Sequence, residues 1–330
     1  MKSKTKIILG IIAVTVVIAI SVPVIYHIYQ SNLPSVSQQI RLQEYTPFKV
    51  GTRAAYLNEE STLKLTSDLP RLDGATALYP VYASFVQAVY PEGDYEIDHY
   101  YSKDDFLVNC TTTGHAYTNL INGETDIIFV AGISEQHAKM AEEMGIELQF
   151  TPIGREAFVF FVNSDNPVNS LTTEQLQGIY SGEITNWREV GGKNRKIIAY
   201  QREENSGSQT MLINFMGNTP LMNPRTGTTI GPMGGMIYVV EYKNNNNAIG
   251  YSFLFYSTEM VQSDQIKLLE LDGIAPTREN IVNETYPQTG YFYAVSVIGN
   301  DNPNIDIFIE WILSPEGQEL IEKSGYTPLN

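Results

Sequence analysis

The chain has 330 residues, of which 43% are hydrophobic and 18% are charged. This composition excludes a disordered polymer, and the length suffices for about two domains or for one domain with two lobes. The formal net charge of −16 repels phosphate backbones, so we expect no nucleic-acid partner. A single cysteine, Cys110, excludes a disulfide framework and a thiolate zinc cluster, and the four histidines show no metal-ligand spacing.

An uncharged, apolar run extends from Ile7 to about Ile28, and three lysines precede it. About 20 apolar residues span a bilayer, whereas a cleavable signal peptide has an apolar stretch of only about 7–15 residues. The run therefore predicts that residues 1–30 contain a transmembrane helix that anchors the protein in the cell membrane. A cleaved signal segment, with Ala19-x-Ser21 as a weak cleavage site, stays open. In both cases the rest of the chain is expected outside, as a secreted protein if cleavage occurs.

Residues 31–65 are polar, contain two prolines and show weak periodicity, which is typical of a stalk or an extended lead-in. Beyond them, short apolar segments alternate with segments of helical periodicity. The predicted strands are Asp126–Val130, Ala157–Val162, Lys196–Tyr200 and Ile249–Phe255. The predicted helices are Leu78–Tyr90, His115–Asn122, Ser134–Met144, Thr173–Tyr180, Gln209–Met216, Gly234–Tyr242 and Ile305–Ser324. This alternation predicts an α/β fold with mostly parallel sheets.

Three of the predicted helices begin with similar short motifs, which are Asp73–Ala77, Thr111–Gly114 and Asn205–Ser208. Each motif places small hydroxyl residues at a helix N-terminus, where free backbone N–H groups and the helix dipole favour an anion. A glycine in each motif lets a ligand approach the backbone closely. One such motif alone is an ordinary helix cap. Three of them in one α/β chain predict a shared site for an oxoanion.

Arg202 stands four residues before Ser206. A guanidinium can hold a tetrahedral oxoanion with two parallel hydrogen bonds, and Glu203 or Glu204 can fix its orientation. The alternative is a surface Arg–Glu pair that contributes at most about 1 kcal/mol. A hydrolase with Ser206 as its nucleophile is a further alternative. It requires a base, but the chain has no Gly-x-Ser-x-Gly motif and the nearest histidine in sequence is His137, so we expect no enzyme.

These residues resemble the phosphate-binding proteins of ABC importers, within the periplasmic-binding-protein superfamily. The resemblance extends from about Leu72 to Asn330 and includes five landmarks in the family's order. They are Asp73–Tyr82, Gly178–Gly192, Arg202 with Ser206–Ser208, Ala248–Tyr251, and Trp311–Gln318 with Gly325–Leu329. The resemblance implies two α/β lobes that are joined by crossing strands and hold the anion in the cleft between them. It places lobe 1 at residues 66–158 plus 250–330 and lobe 2 at residues 159–249.

The resemblance also implies the anion ligands, which are Thr76, Ala77, Thr112, Thr113, Arg202, Ser206, Gly207 and Ser208. Ser208 replaces the family's usual threonine and keeps the hydroxyl. The implied mechanism is non-covalent capture, in which the lobes close around the anion. We therefore expect inorganic phosphate or a similar tetrahedral oxoanion as the ligand and ABC permease subunits as partners. We expect a monomer with no cofactor and no metal.

One position departs from the family pattern. The family commonly places an aspartate just after the strand equivalent to Asp126–Val130, and its carboxylate accepts a proton that phosphate carries and sulfate lacks. Here the sequence continues Ala131-Gly132-Ile133, with Glu135 as the next carboxylate. A carboxylate repels an unprotonated anion, so its absence removes a filter against sulfate-like ligands. His115 also stands where small residues are usual.

The sequence leaves the bound anion and the biological role open. An alternative to the transport role is a membrane-tethered anion sensor or adhesion module of the same fold. The long apolar N-terminal run and the missing aspartate are the features that point to this alternative.

Overall fold

The computed structural model describes residues 42–97, 106–242 and 245–329. The predicted membrane anchor or signal segment, residues 1–30, lies outside these residues. Within the described ranges no helix combines the length and the apolar character that crossing a bilayer requires.

A mixed sheet of seven strands forms the centre of the fold. Its strands are β1 (Leu72–Gly74), β2 (Ile127–Val130), β3 (Leu148–Asn163), β5 (Ile198–Ala199), β8 (Ala248–Phe253), β9 (Ile266–Leu268) and β11 (Thr289–Val297). Two small sheets pair β4 (Ser170–Leu171) with β10 (Glu270–Leu271) and β6 (Gln201–Arg202) with β7 (Thr229–Ile230). The order of the central sheet is β1-β2-β11-β3-β8-β5, and β9 also pairs with β3.

The prediction of mostly parallel sheets is wrong for this central sheet. Strand β11 is antiparallel to β2 and β3, and β3 is antiparallel to β8 and β9. Only β1 with β2 and β5 with β8 are parallel pairs among the described strands of this sheet. The alternation of strands and helices predicts the parallel pairs, but it does not reveal the two long strands that run through the middle. Strand β3 pairs with β11 along residues 148–157 and with β8 from residue 158 onward, so it joins two half-sheets.

Helices cover the sheet. They are α1 (Tyr79–Val89), α2 (Thr113–Ile121), α3 (Glu135–Glu143), α4 (Thr173–Ser181), α5 (Gly207–Met216), α6 (Met233–Glu241), α7 (Arg278–Val282), α8 (Asn304–Leu313) and α9 (Pro315–Lys323). Short 3₁₀ turns form at Leu42–Tyr45, Thr76–Leu78 and Trp187–Val190, and a π-helical turn forms at Tyr256–Met260. The predicted helix Ile305–Ser324 is two helices. Ser314 has an extended backbone and Pro315 lacks the N–H that would continue α8.

Each of the two lobes has its own hydrophobic core. The first core packs α1, α8 and α9 against β1 and β2, and the second packs α4, α5 and α6 against β8 and the second half of β3. The apolar side chains of Leu269, Leu271, Ile281 and Tyr286 belong to the second core, because β9, β10 and α7 fold back onto it. The lobe limits that the resemblance implies stay a prediction. For the point where the chain returns from lobe 2 to lobe 1, this packing favours a position near residue 288 over residue 250.

The segment predicted as a stalk is part of the first lobe from residue 42 onward. Leu42, Tyr45, Ala54 and Leu65 are buried in the first core. The sequence did not predict this burial, because the segment packs on the core as mostly irregular chain and lacks the periodicity of a helix or strand. A hydrogen bond helps to fix the segment on α1, because the Ala55 N–H donates to the Ser84 hydroxyl at 2.8 Å.

Candidate functional site

The first motif follows β1, whose residue Asp73 is buried and accepts four hydrogen bonds. The donors are the N–H of Gly74 at 2.7 Å, the N–H and the hydroxyl of Thr111 at 2.8 and 2.5 Å, and the Asn119 amide at 2.9 Å. Burial raises the pKa of the Asp73 carboxyl, and the bonds from Thr111, Gly74 and Asn119 oppose that shift. Asp73 therefore fixes the first motif to the second. Its role was not predicted from the sequence, where it was only one residue of a motif.

Thr76 and Ala77 lie in the 3₁₀ turn that leads into α1. The Thr76 side chain caps no helix, and its hydroxyl lies beside the thiol of Cys110. Ala77 is 4% exposed and packs in the second hydrophobic core, although its own strand and helix belong to the first lobe. Its carbonyl accepts a hydrogen bond from the Tyr326 hydroxyl. The first motif therefore reaches the boundary between the lobes.

The second motif has a strained backbone. Thr112 is exposed and has a φ of 81°, a conformation that a β-branched residue rarely adopts. Its side chain does not cap α2, and its hydroxyl lies 3.4 Å from Nδ1 of His115. Thr113, the first residue of α2, is 7% exposed, and its hydroxyl has no partner among the described residues. The Asp73–Thr111 bonds hold this strained turn in place, as is common where a site is preorganised.

Arg202 ends the short strand β6 and is held at its backbone and at Nε. Its N–H donates to the Tyr251 hydroxyl at 2.7 Å and to the Gln209 amide oxygen at 2.9 Å, and its Nε donates to the Ile230 carbonyl at 3.1 Å. Within the described part of the chain, the two terminal nitrogens have no partner and no carboxylate forms an ion pair with them. Burial lowers the pKa of the guanidinium, which Tyr251, Tyr256 and Glu203 partly offset.

The alternative of a surface Arg–Glu pair is therefore not what the structure shows. Glu203 and Glu204 are both exposed, and Arg202 is oriented by a carbonyl. Tyr251 and Gln209, which fix the Arg202 backbone, were not predicted from the sequence. Gln209 lies only seven residues away on the next helix, but Tyr251 is 49 residues away, so no local pattern indicates its contact.

The third motif begins α5. The Ser206 hydroxyl accepts the Gln209 N–H at 3.3 Å and donates to the Glu203 carbonyl at 2.9 Å, so it is an ordinary helix cap. Because its proton already goes to a carbonyl, the geometry gives no support to a nucleophilic serine. Ser208, in contrast, is 3% exposed and its hydroxyl has no partner in the described chain.

The second and third motifs meet across the lobes. A Cβ added to Gly207 would lie 2.7 Å from the Thr113 hydroxyl oxygen, and one added to Gly114 would lie 3.3 Å from the Asn205 carbonyl. The Asn205 side-chain amide donates to the Gln136 amide oxygen at 2.5 Å. The N-termini of α2 and α5 thus face each other at close range. We call this region, formed by residues 112–114 and 205–208, the mouth.

The position of the family's aspartate also lies near this boundary. Ala131 is half-buried and packs against the second core, and a Cβ on Gly132 would lie 4.0 Å from the Met211 sulfur of α5. Glu135, the next carboxylate along the chain, is exposed. The carboxylate of Asp73 is nearby but is occupied by its four donors. The described mouth therefore offers hydrogen-bond donors and no side-chain carboxylate that is free to accept.

The structure thus brings the predicted ligands of the second and third motifs together. Thr112, Thr113, Gly207 and Ser208 lie at the mouth, and Arg202 is hydrogen-bonded through its backbone to Gln209 in the first turn of α5. Thr76 and Ala77 lie in the turn that leads into α1, where Ala77 packs in the second core. Ser206 shapes the turn, but its hydroxyl is engaged. Contact between these residues and an anion stays a prediction.

Comparison with known proteins gives consistent matches. The family model of the PBP superfamily domain matches residues 65–316. The chain is 26% identical over 212 residues to the phosphate-binding protein PstS of Borreliella burgdorferi, covering 62% of this chain and 75% of that protein. It is 24% identical over 226 residues to the phosphate-binding protein PstS of Bacillus subtilis, covering 68% of this chain and 71% of that protein.

Solved structures show the same architecture. A phosphate ABC transporter substrate-binding protein of Clostridium perfringens, crystallised with bound phosphate, superimposes with a TM-score of 0.61 at 24% identity. An ABC-type phosphate transport receptor of Vibrio cholerae superimposes with a TM-score of 0.57 at 23% identity. Each match covers 78% of this chain and 98% of the other chain. At these identities the likeness establishes the fold.

Proposed function

The chain belongs to the PBP superfamily, and from that premise we propose that it is an extracytoplasmic solute-binding protein. Its ligand is inorganic phosphate or a similar tetrahedral oxoanion, held between the two lobes. The observation that carries this proposal is the meeting of two helix N-termini at the mouth. Arg202 is hydrogen-bonded through its backbone to Gln209 in the first turn of one of these helices, and its terminal nitrogens have no partner in the described chain. Helix N-termini and a guanidinium both favour an anion.

The proposed anion contacts come from both lobes. They are Thr76, Ala77, Thr112, Thr113, Arg202, Ser206, Gly207 and Ser208, with Ser206 acting through its backbone because its hydroxyl is engaged. Each charge-assisted hydrogen bond contributes about 1.5–3 kcal/mol. Several of them, less the cost of dehydrating the anion and closing the lobes, give micromolar binding, about −8 kcal/mol. The relatives are named as binding proteins and the described mouth presents hydrogen-bond donors, so we propose binding without catalysis.

The transport role is supported by what the relatives are called. Two similar proteins are named phosphate-binding protein PstS, and two structural neighbours are named as parts of ABC phosphate transporters. We propose that a monomer delivers its anion to the permease subunits of such an importer. We also propose that the apolar run of residues 7–28 anchors it to the cell membrane or is cleaved as a signal. The alternative of a sensor or adhesion module without a transport role is not favoured by these matches.

Isothermal titration calorimetry of the purified full-length protein with phosphate tests the function. We expect micromolar binding, and we expect Arg202→Ala to weaken it by about 2–5 kcal/mol, because the variant removes the charged donor that faces the anion. Arg188→Ala is the matched control, since Arg188 is an exposed arginine on the 3₁₀ turn of the same lobe. Its titration should match the wild type. Absence of heat with phosphate and other tetrahedral oxoanions, or an unchanged titration of Arg202→Ala, contradicts the proposal.

A further inference from the structure

A cavity of about 570 Å³ lies where β3 passes from one half-sheet to the other, and Arg155 and Glu156 of β3 line it. Its described lining contains no residue of the mouth and does not include Arg202, so the proposed phosphate site does not account for it. Elements of both cores form its walls, namely residues 42–65 and α9 from the first and β9 and α7 from the second. Its volume lies within the range of about 300–1,000 Å³ that is typical of small-molecule sites.

Basic side chains surround this cavity, although the chain as a whole carries a formal net charge of −16. Arg53, Arg155, Arg278 and Lys323 all line it. Each of them forms an ion pair with a glutamate, at N–O distances from 2.6 to 3.5 Å, but none of these glutamates belongs to the described lining. The exposed Glu259 is the one lining residue in the described chain, apart from Glu156, that carries a carboxyl group. The wall itself therefore carries more positive than negative charge, which favours an anion.

The buried part of the wall is largely apolar. Phe255, Ile281 and Tyr326 are buried, and the rings of Phe255 and Tyr326 lie with their centroids 4.2 Å apart. Burial raises the pKa of the Glu156 carboxyl to about 8, so this group is mostly protonated at neutral pH and adds little negative charge. The buried part can therefore accept an apolar body, while the basic residues Arg53 and Arg278 are exposed.

Two residues of the wall have a buried polar atom that folding leaves without a partner. The Tyr45 hydroxyl and Nε of Arg155 form no hydrogen bond among the described residues. The other nitrogens of Arg155 are engaged, because Nη1 donates to the carbonyls of Pro328 and Leu329 at 3.2 and 3.0 Å and Nη2 pairs with Glu284 at 2.9 Å. Since buried polar atoms are nearly always hydrogen-bonded, these exceptions indicate a wall that folding alone does not complete.

We propose that this cavity binds an organic monoanion whose carboxylate lies at the exposed basic side chains and whose apolar body packs against the buried rings. An inorganic oxoanion would leave the apolar part of the wall without contacts, and an uncharged apolar molecule would not use the cations. A carboxylate on an apolar body satisfies both parts, as ligands of mixed pockets do. This inference does not depend on the proposed phosphate site, because the described lining shares no residue with the mouth.

Ligand-observed NMR titration of the purified full-length protein with hydrocinnamate tests the chemistry of the ligand. Hydrocinnamyl alcohol and phenylpropylamine are matched controls, because they have the same apolar body with no charge or with a positive charge. We expect a Kd below about 1 mM for hydrocinnamate and binding more than tenfold weaker for both controls. A higher Kd for hydrocinnamate, or binding of either control within tenfold of it, overturns the proposal.

A charge-matched pair of variants tests the location. Arg278→Gln combined with Lys323→Gln removes two cations of the wall and should weaken hydrocinnamate binding by about fivefold or more. Arg188→Gln combined with Lys193→Gln removes two exposed cations outside the described lining and should change it by less than twofold. Arg202→Ala should also change it by less than twofold. A loss in Arg202→Ala that matches the loss in the first variant would place the carboxylate at the mouth and overturn the proposal.

A second pair keeps the test decisive if the charge variants fold poorly. Thr258→Trp puts a bulky ring at an exposed position of the lining and should abolish hydrocinnamate binding, whereas Thr226→Trp, exposed and outside the described lining, should not. Thermal unfolding checks that each variant is folded, and phosphate calorimetry is scored separately because the two sites are independent. Equal hydrocinnamate binding by the two tryptophan variants would refute the cavity as the site and leave the proposed function untouched.

Discussion

The mouth and the hinge, two regions where the lobes contact each other, differ in whether their polar groups have hydrogen-bond partners. At the mouth, donors from both lobes face each other without partners. At the hinge, which we define as residues 155–157 of β3 with Leu254 and Phe255, the buried Glu156 carboxyl accepts the N–H groups of Ala157 at 2.8 Å and of Phe255 at 3.3 Å. A cavity of about 570 Å³ opens beside the hinge, and Tyr326 lines it with Glu156. The comparison teaches that folding alone provides partners for the Glu156 carboxyl at the hinge, whereas the hydroxyls of Thr113 and Ser208 at the mouth have no partner in the described chain.

The largest expected effect is the pH dependence of the free energy of unfolding that Glu156 at the hinge produces. Burial raises the pKa of Glu156 to about 8 from an ordinary value of 4.5, and bonds from Ala157, Phe255 and Leu254 oppose the shift. The folded state therefore holds a proton that the unfolded state has lost. Stability from this group is fully present below about pH 4.5 and declines as the pH rises to about 8, by at most about 4–5 kcal/mol.

Urea unfolding of the wild type and Glu156→Gln at pH 5 and pH 8 measures this effect. The difference in free energy of unfolding between the two proteins should shift in favour of the variant as the pH rises, because glutamine stays neutral. Phosphate affinity at pH 7 should change by less than about threefold. An equal pH dependence in both proteins would show that Glu156 ionises normally.

The next effect concerns the support of the mouth. Asp73→Ala leaves the Thr111 N–H, the Thr111 hydroxyl and the Asn119 amide without their acceptor, which costs about 2–4 kcal/mol of stability. The strained turn at Thr112 loses its anchor, so phosphate affinity should also fall. Asp306→Ala, in the exposed first turn of α8, is the control and should cost no more than about 1 kcal/mol, the contribution of a carboxylate at a helix N-terminus. Urea unfolding and calorimetry measure both properties, and a loss of stability without a loss of affinity would separate Asp73 from the mouth.

A smaller effect should appear in affinity alone. Gly207→Ala places a methyl group 2.7 Å from the Thr113 hydroxyl oxygen and keeps the lobes from closing fully. Overpacking of this kind costs about 1–3 kcal/mol, here subtracted from phosphate binding. Unfolding of the anion-free protein should not suffer, since alanine favours a helix more than glycine does. Gly290→Ala is the control, because a Cβ there meets nothing within 4 Å. Unchanged calorimetric affinity would show that the lobes do not need this close approach.

The smallest effect concerns the bond between Gln136 and Asn205, which crosses the mouth at its exposed edge. Gln136→Ala should speed phosphate dissociation by up to about tenfold, because one hydrogen bond contributes about 0.5–1.5 kcal/mol. Glu142→Ala, at an exposed position on the same helix, should leave the rate unchanged. Stopped-flow measurement of the dissociation rate distinguishes the two variants. Equal rates would show that this bond does not hold the closed state.

The sequence predicted the parts of this comparison that are encoded locally. The helix starts at Thr113 and Gly207 depend on nearby residues, so their motifs were recognisable. The departure at Ala131 was also visible, because it is a single position after a strand. The alternation of strands and helices predicted the α/β class correctly. The family resemblance predicted the two lobes.

The remainder depends on contacts between residues far apart in the chain. The antiparallel pairing of β3 and β11 joins residues more than 100 positions apart, and no local periodicity reports it. The segment from Leu42 to Leu65 is irregular apart from the 3₁₀ turn at Leu42–Tyr45, so its buried apolar residues follow no periodic pattern. The Tyr251 contact with Arg202 arises only when the second lobe has folded.

The position of β11 also constrains how the chain acquires its structure. This strand lies between β2 and β3 in the middle of the central sheet, yet it is the final strand in sequence among those described. The first half-sheet therefore stays incomplete until residue 297 has been synthesised. Long-range pairing of this kind forms slowly, because a large loop must close first. A nascent chain of this protein therefore lacks a central strand of its main sheet for almost the whole of its translation.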